Sequence, residues 1–418
     1  MKKILIFIAV SFGFVTVTVS IFSRLSTQVK PGIEVLRDDR FKALEGKRVG
    51  LITNPTGVDR NLKSTADILF EAPNVNLVAL YGPEHGIRGD VTAGGSIDDI
   101  TDSQTGLPVY SLYGKNRKPS SEILQGIDVL VYDIQDIGCR SYTYISTMGL
   151  AMEAAAENGI EFVVLDRPNP LGGEKFEGCP NVEPNLVSFV SQFPVTYIHG
   201  FTTGELAGFL NGEGLLKDGI RCKLKVIRMK GWERKMNFKA TGLPWVISSP
   251  HIPRSETAYF YASSGILGEL YFFNIGIGYT LPFELFAAEW MDAEKLTANL
   301  NGLKIPGVRF RPIHYKPYYG SQKDIYLHGV QTYIIDVNKI PLTLIQFYVL
   351  QECHKLYPDK NAFELCGPER LSMFDKVCGS GRMREVFSQS FTVDSILTVW
   401  NNDVDNFKKK AKKYFIYK

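Results

Sequence analysis

Short apolar runs alternate with stretches of helical texture through the first half of the chain, and each run ends in a polar break. Residues 48–54 (RVGLITN) close on Pro55-Thr56-Gly57. Residues 77–81 (LVALY) break at Gly82-Pro83 and present Glu84 and His85, followed by Gly86, Arg88 and Gly89. Residues 128–133 (DVLVYD) run on into Gln135, Asp136 and Gly138, and residues 161–165 (EFVVL) stop at Asp166-Arg167-Pro168-Asn169-Pro170. A further strand is expected over 223–229. Runs that are apolar throughout are what parallel strands covered on both faces require. Between them lie predicted helices: one capped by Ser64, one over 143–157 ending at Asn158-Gly159, and one opening at Thr203. Strands alternating with helices give an α/β fold, a Rossmann-like doubly wound parallel sheet. In such a sheet the polar breaks gather on one rim, where ligands bind.

Past about residue 289 the texture changes. Residues 309–312 and 330–335 read as strands of a mixed sheet, 341–357 as a helix, and 393–415 as largely helical. The expected organisation is therefore a Rossmann-like domain over 31–290 and a smaller α/β carboxyl-terminal domain over 291–418. Residues 23–40 read as a polar linker. Ahead of it, Lys2-Lys3 and the apolar run 4–22 have the form of an export signal. The run is also near the length that spans a bilayer, so residues 1–25 are either a signal peptide or a membrane anchor. Both readings put the body of the protein outside the cytoplasm, in the periplasm or cell envelope.

Composition narrows the chemistry. The 418 residues carry a net charge of +3, with 44% hydrophobic and 22% charged residues. That balance is ordinary for a globular protein, and it offers nucleic acid no basic surface. The basic stretch Lys408, Lys409, Lys410, Lys412 and Lys413 reads as the solvated face of a last helix. Six scattered cysteines show neither a C-x-x-C pair nor zinc spacing; buried thiols are expected, with one disulfide among Cys353, Cys366 and Cys378 as the alternative. No G-x-G-x-x-G follows the first strand, and Walker A, G-x-S-x-G and H-E-x-x-H motifs are missing. No nucleotide, metal or other cofactor is expected.

Acids sit at the predicted strand ends: Glu84, Asp133, Asp136 and Asp166. Beside them stand Arg88, Arg140 and Arg167, with Tyr142 and Tyr144 close by in sequence. Carboxylates that hold hydroxyls or move protons, aromatic faces for pyranose rings and arginines for an anionic substituent suit a sugar ligand. For each acid taken singly, a helix cap or a salt bridge to the neighbouring arginine is the competing reading.

Taken together, Gly50 through Gly57, Gly82-Pro83-Glu84-His85-Gly86, Asp133 through Tyr144, and Asp166-Arg167-Pro168-Asn169-Pro170 resemble the exo-β-N-acetylmuramidase family. Further matches are Gly242-Leu243-Pro244-Trp245, Pro282-Phe283-Glu284 and Phe374-Asp375, in one order from about residue 34 to the end. The resemblance implies an exo-acting glycosidase that releases N-acetylmuramic acid from the non-reducing ends of peptidoglycan fragments. It also implies a Rossmann-like domain packed on a smaller one, with the site in the cleft between them. The family's proposed catalytic glutamate corresponds to Glu84. One stretch departs: where many members carry a second glutamate and an arginine before P-F-E, this chain has Ile275 and Ile277, while Glu269 is kept.

On this reading Glu84 is the general acid. Asp136 or Asp133 orients the substrate's 2-acetamido group for attack on its own anomeric carbon, or serves as nucleophile or base in a direct route. Arg140, ahead of Arg88, is expected to pair with the lactyl carboxylate. His85, Tyr142, Asp166, Asn169 and Glu269 complete the expected substrate contacts. Two competing functions are a non-catalytic peptidoglycan binder and a metal-dependent amide or phosphate hydrolase of the cell envelope.

Overall fold

The structure is a computed structural model that describes residues 28–84, 86–89, 100–114 and 116–418. The strands are β1 (Arg48–Thr53), β2 (Asn76–Gly82), β3 (Ile100–Thr101), β4 (Pro108–Ser111), β5 (Val129–Asp133), β6 (Glu161–Leu165), β7 (Lys223–Ile227), β8 (Leu285–Ala288), β9 (Val308–Tyr315) and β10 (Leu327–Ile334). The helices are α1 (Gly32–Asp38), α2 (Thr65–Glu71), α3 (Tyr144–Glu157), α4 (Thr203–Gly212), α5 (Thr257–Gly268), α6 (Ala293–Gly302), α7 (Ile345–Leu356), α8 (Ala362–Leu365), α9 (Pro368–Cys378), α10 (Arg382–Ser390), α11 (Val393–Trp400) and α12 (Val404–Ala411).

The first sheet has the order β3-β4-β2-β1-β5-β6-β7, with six parallel strands and β3 antiparallel on the edge. The chain builds outward from β1 through β2 to β4, then returns to the other side of β1 for β5, β6 and β7. This doubly wound order creates a switch point between β1 and β5, outside whose carboxyl ends ligands bind. Side chains alternate across the sheet. Ile52, Tyr81, Leu130, Tyr132, Phe162 and Val164 pack under α3, α4 and the returning α12. Leu51, Leu80, Val131, Val163 and Leu165 pack under α1 and α2. Burying each such side chain is worth roughly 1.5–3 kcal/mol, and that drive sets the register of the strands.

Capping matches the local sequence. The Ser64 hydroxyl accepts from the Asp67 N–H at the start of α2. Thr202 and Glu205 form a reciprocal capping box on α4. The expected linker over 23–40 contains a helix instead. Within it Ile33 and Leu36 of α1 are buried against the sheet, an apolar spacing hidden by the charged residues between them.

The second unit is built on the antiparallel sheet β8-β10-β9, with α5 to α7 and α9 to α11 around one apolar core. Its elements begin with α5 and β8, ahead of the expected division at residue 290, because α5 packs on α7 and α9 and β8 pairs with β10. The tail also crosses back. Phe407 and Ala411 of α12 join the core of the first unit, and the Tyr417 hydroxyl reaches Asp166. The expected helix over 393–415 is broken between Trp400 and Val404, and Asp403 there takes a left-handed conformation. All six cysteines are free thiols, and five are buried.

Candidate active site

Register brings the rim together. Gly82 of β2 lies opposite Ser111 of β4. Glu84 and Tyr113 each stand two residues past that pair, so both arrive at one point. The strand run of β2 delivers Glu84, and Pro83 stops the strand there. Thr143, at the amino end of α3, approaches from the far side of the switch point. Its hydroxyl donates to Glu84 Oε2 at 2.9 Å. The Tyr113 phenol bonds the same carboxylate, and burial, then the charge of Glu84, push that phenol up to about 12. Glu84 itself is half-buried, so its carboxylate keeps a solvent face. His85 lies outside the described residues.

Tyr142, next to Thr143, opens an aromatic row. The rings of Tyr144 and Tyr142 meet edge to face at 5.0 Å, Tyr142 and Tyr261 at 5.7 Å, and Tyr261 and Phe283 at 5.0 Å. The row runs from the first unit into α5 and the loop before β8, and so bridges the two. The Tyr142 hydroxyl donates to Ser248 Oγ at 2.8 Å, which pins the loop over the rim. Burial raises the Tyr142 phenol; the Ser248 and Ser249 hydroxyls pull it back, and the Asp136 and Glu84 carboxylates add to the rise.

Asp136 is buried on the flank of this row. Its Oδ2 accepts from the Gly138 N–H at 2.6 Å and lies 3.4 Å from His199 Nε2. His199 Nδ1 accepts from the Phe201 N–H, which puts the neutral ring's proton on Nε2, toward Asp136. Asp136 Oδ1 is buried with no hydrogen-bond partner among the described residues.

The other expected site groups are committed elsewhere. Arg140 is fully buried, and its guanidinium donates to the carbonyls of Cys179 and Val195, both at 2.8 Å, and of Val377 and Cys378, at 3.2 and 2.7 Å. It ties together three stretches of backbone and is wholly buried, out of reach of a lactyl carboxylate, which corrects the expectation. Arg88 is held by Asp102 at 2.9 Å and Asp67 at 3.0 Å. Asp133, wholly buried, takes a two-point bond from Arg167, at 2.5 and 2.9 Å, and the Thr65 hydroxyl at 2.5 Å. Asp166 is also wholly buried, accepting from the Arg167 and Gly204 N–H groups, Thr202 and Tyr417. The Asn169 side chain bonds Phe201 O and Leu171 N and holds its own turn. These residues stabilise the rim from behind rather than face it.

Glu269, at the end of α5, lines a cavity of about 590 Å³ that Tyr261 and Phe283 also line. Burial raises its carboxyl, and Arg370 pulls the other way. Tyr113, Thr143, Tyr261 and His199 were not singled out by sequence reasoning. Tyr113 follows a strand too short to stand out, and Thr143 was hidden between two tyrosines.

Known families and proteins match this chain over nearly its whole length. Residues 49–256 match the family described as exo-beta-N-acetylmuramidase NamZ, N-terminal, and residues 259–417 match its C-terminal counterpart. The division between them falls where α5 begins. A protein of Bacillus subtilis (strain 168), peptidoglycan beta-N-acetylmuramidase NamZ, is 44% identical over 390 residues, covering 93% of this chain and 92% of its own. Two DUF1343 family proteins of Bacteroides fragilis have similar crystal structures. One has a TM-score of 0.90 at 60% identity, covering 94% of this chain and 99% of its own. The other has a TM-score of 0.73 at 29% identity, covering 93% and 99%.

Proposed function

The chain belongs to the exo-beta-N-acetylmuramidase NamZ family, and we propose that it is an exo-acting glycosidase that releases N-acetylmuramic acid from the non-reducing ends of peptidoglycan fragments. One observation carries the placement of the chemistry. Of the four strand-end acids, Glu84 alone keeps a solvent face and is held by neutral hydroxyls, while Asp133, Asp136 and Asp166 are buried.

Glu84 is the general acid. It gives its proton to the glycosidic oxygen as the bond from that oxygen to the anomeric carbon breaks. The carbonyl oxygen of the substrate's own 2-acetamido group forms the new bond to that carbon, so the enzyme needs no nucleophile of its own. Water then opens the cyclic intermediate, and the Glu84 carboxylate takes a proton from that water. Asp136 is buried, and its bond from the Gly138 N–H commits it to the loop after β5.

The test uses a chromogenic N-acetylmuramide and the matching N-acetylglucosaminide in parallel. Release from the muramide, and its loss with sugar binding retained in Glu84→Gln, are the expected results. Binding without release by the unaltered protein would identify a cell-wall binder instead. Inactivation by chelators with recovery on added zinc would move the chemistry to a metal.

Export is the second part of the reading. Lys2-Lys3 and the apolar run 4–22 lie outside the described residues, and no helix among those described is long and apolar enough to cross a membrane. Fractionation of cells carrying the full chain, against one lacking residues 1–22, tests it. Finding both in the cytoplasm would reject export.

A further inference from the structure

The cavity beside Glu269 differs in kind from the rim around Glu84. Its volume, about 590 Å³, lies in the range of roughly 300–1,000 Å³ that holds small ligands. Its walls are Tyr261, Phe273, Ile275, Ile277, Phe283 and Tyr319. The floor is the Gly265 and Gly268 face of α5, where missing side chains make the room. Glu269 supplies a carboxyl, and among the described residues no lysine or arginine lines the space. Arg370 packs its guanidinium over the Tyr271 ring, 3.7 Å from its centre, at the edge.

The wall is firmly built. Asn274 accepts from the Gly276 N–H at 2.7 Å and from the Tyr315 hydroxyl at 2.8 Å, and donates to Ile277 O and to Gln322. Gly276 and Gly278 have φ of +88° and +90°, and a Cβ on either would lie 2.0 or 2.4 Å from a backbone oxygen. Tyr271 and Phe283, both lining residues, hold φ of 55° and 67°, which is costly for aromatic residues. Strain of this kind persists where the surrounding structure over-determines it, as at ligand clamps.

We propose that this cavity is the subsite for the uncharged N-acetylated sugar on the leaving side of the scissile bond, an N-acetylglucosamine unit, and not for the muramic acid. The inference rests on the glycosidase reading and deepens it. The aromatic row from Tyr142 through Tyr261 to Phe283 joins the cavity to the Glu84 rim. Tyrosine, phenylalanine and isoleucine faces accept the C–H face of a pyranose and an acetamido methyl, and Glu269 accepts its hydroxyls. A muramic acid would bring its lactyl carboxylate beside the Glu269 carboxyl in a mainly aromatic and aliphatic space, where His251 is the one basic side chain among the lining residues. Burying an anion there is costly.

The experiment compares two substrates on one enzyme: the disaccharide of N-acetylmuramic acid β-1,4-linked to N-acetylglucosamine, and N-acetyl-β-muramyl fluoride, whose leaving group is a single atom. Gly265 lines the cavity and a Cβ there meets nothing closer than 3.5 Å, so Gly265→Leu adds apolar bulk at the floor. In that variant the ratio of kcat/KM, disaccharide over fluoride, is expected to fall about tenfold or more, the equivalent of about 1.4 kcal/mol. Both substrates turning over with an unchanged ratio would overturn the subsite and leave the glycosidase reading standing. If neither is cleaved by the unaltered protein, the glycosidase reading has failed, and calorimetric titration with free N-acetylglucosamine and free N-acetylmuramic acid decides the cavity alone. Binding of the glucosamine, weakened in Gly265→Leu, supports it; preference for the muramic acid, or no binding, overturns it. Should Gly265→Leu fail to fold, Ile277→Trp replaces it, and the same ratio and titrations are read.

Discussion

The carboxyl end of β2 and those of β5 and β6 look alike in sequence and do opposite things. Each is an apolar strand that stops at an acid: Glu84, Asp133 and Asp166. At β2 the carboxylate meets the Thr143 and Tyr113 hydroxyls and stays half-exposed. At β5 an arginine takes both of its oxygens, and at β6 four donors enclose it. A buried carboxylate must be paired, since desolvating it alone costs several kcal/mol. The acids at β5 and β6 are therefore consumed by architecture, while the one at β2 remains free for chemistry. An apolar run tells where a carboxylate is delivered. What reaches it from distant sequence decides whether it stays available.

The sharpest way to break this contrast is to neutralise one acid of each kind. Glu84→Gln keeps an acceptor for Thr143 and removes the proton donor. Muramide hydrolysis is expected to fall about 10²–10⁴-fold, and stability should change by no more than about 1 kcal/mol, the net worth of one hydrogen bond. Turnover and urea unfolding on the same preparation measure both. A destabilised variant with full activity per folded molecule would assign Glu84 to architecture along with the others.

Arg140→Ala is the complementary experiment. It strips four buried carbonyls of their donor and disconnects Val377 and Cys378, at the end of α9, from the first unit. Leaving such groups unpaired predicts a loss of about 3–5 kcal/mol. Selectivity for the muramide over the glucosaminide, measured on the folded fraction, is expected to survive. Selective loss of the muramide at full stability would return Arg140 to the substrate.

Arg140 also marks the limit of what could be read in advance. Its carbonyl partners lie between 39 and 238 residues away, and no local pattern announces them. The strands and the long helix α3 were legible because their signals are local: an apolar run, a breaker, an Asn-Gly stop. Glu84 was legible for the same reason. The split between α5 and the first unit was not, because α5 is apolar on nearly every side and matches either core. Tyr113 came from β4, whose half-buried pattern over four residues is too short for periodicity to register.

The smallest expected effect concerns pH, and it tests whether burial or pairing rules at β6. Burial pushes the Asp166 carboxyl up to about 7, and nearby Glu205 adds to the rise; the Tyr417 and Thr202 hydroxyls and the Gly204 N–H pull the other way. With the folded pKa above the unfolded one, the folded state binds more protons between the two. This contribution to stability is therefore whole below about pH 4 and is lost as the pH rises through about 7, a change on the order of a few kcal/mol. Asp166→Asn cannot ionise and should lack the slope. Urea unfolding of both proteins at pH 5 and pH 8 isolates it, because every other titrating group is common to the pair. The unaltered protein should lose stability relative to the variant across that interval. If it gains instead, four donors outweigh desolvation, and β6 holds its carboxylate charged throughout.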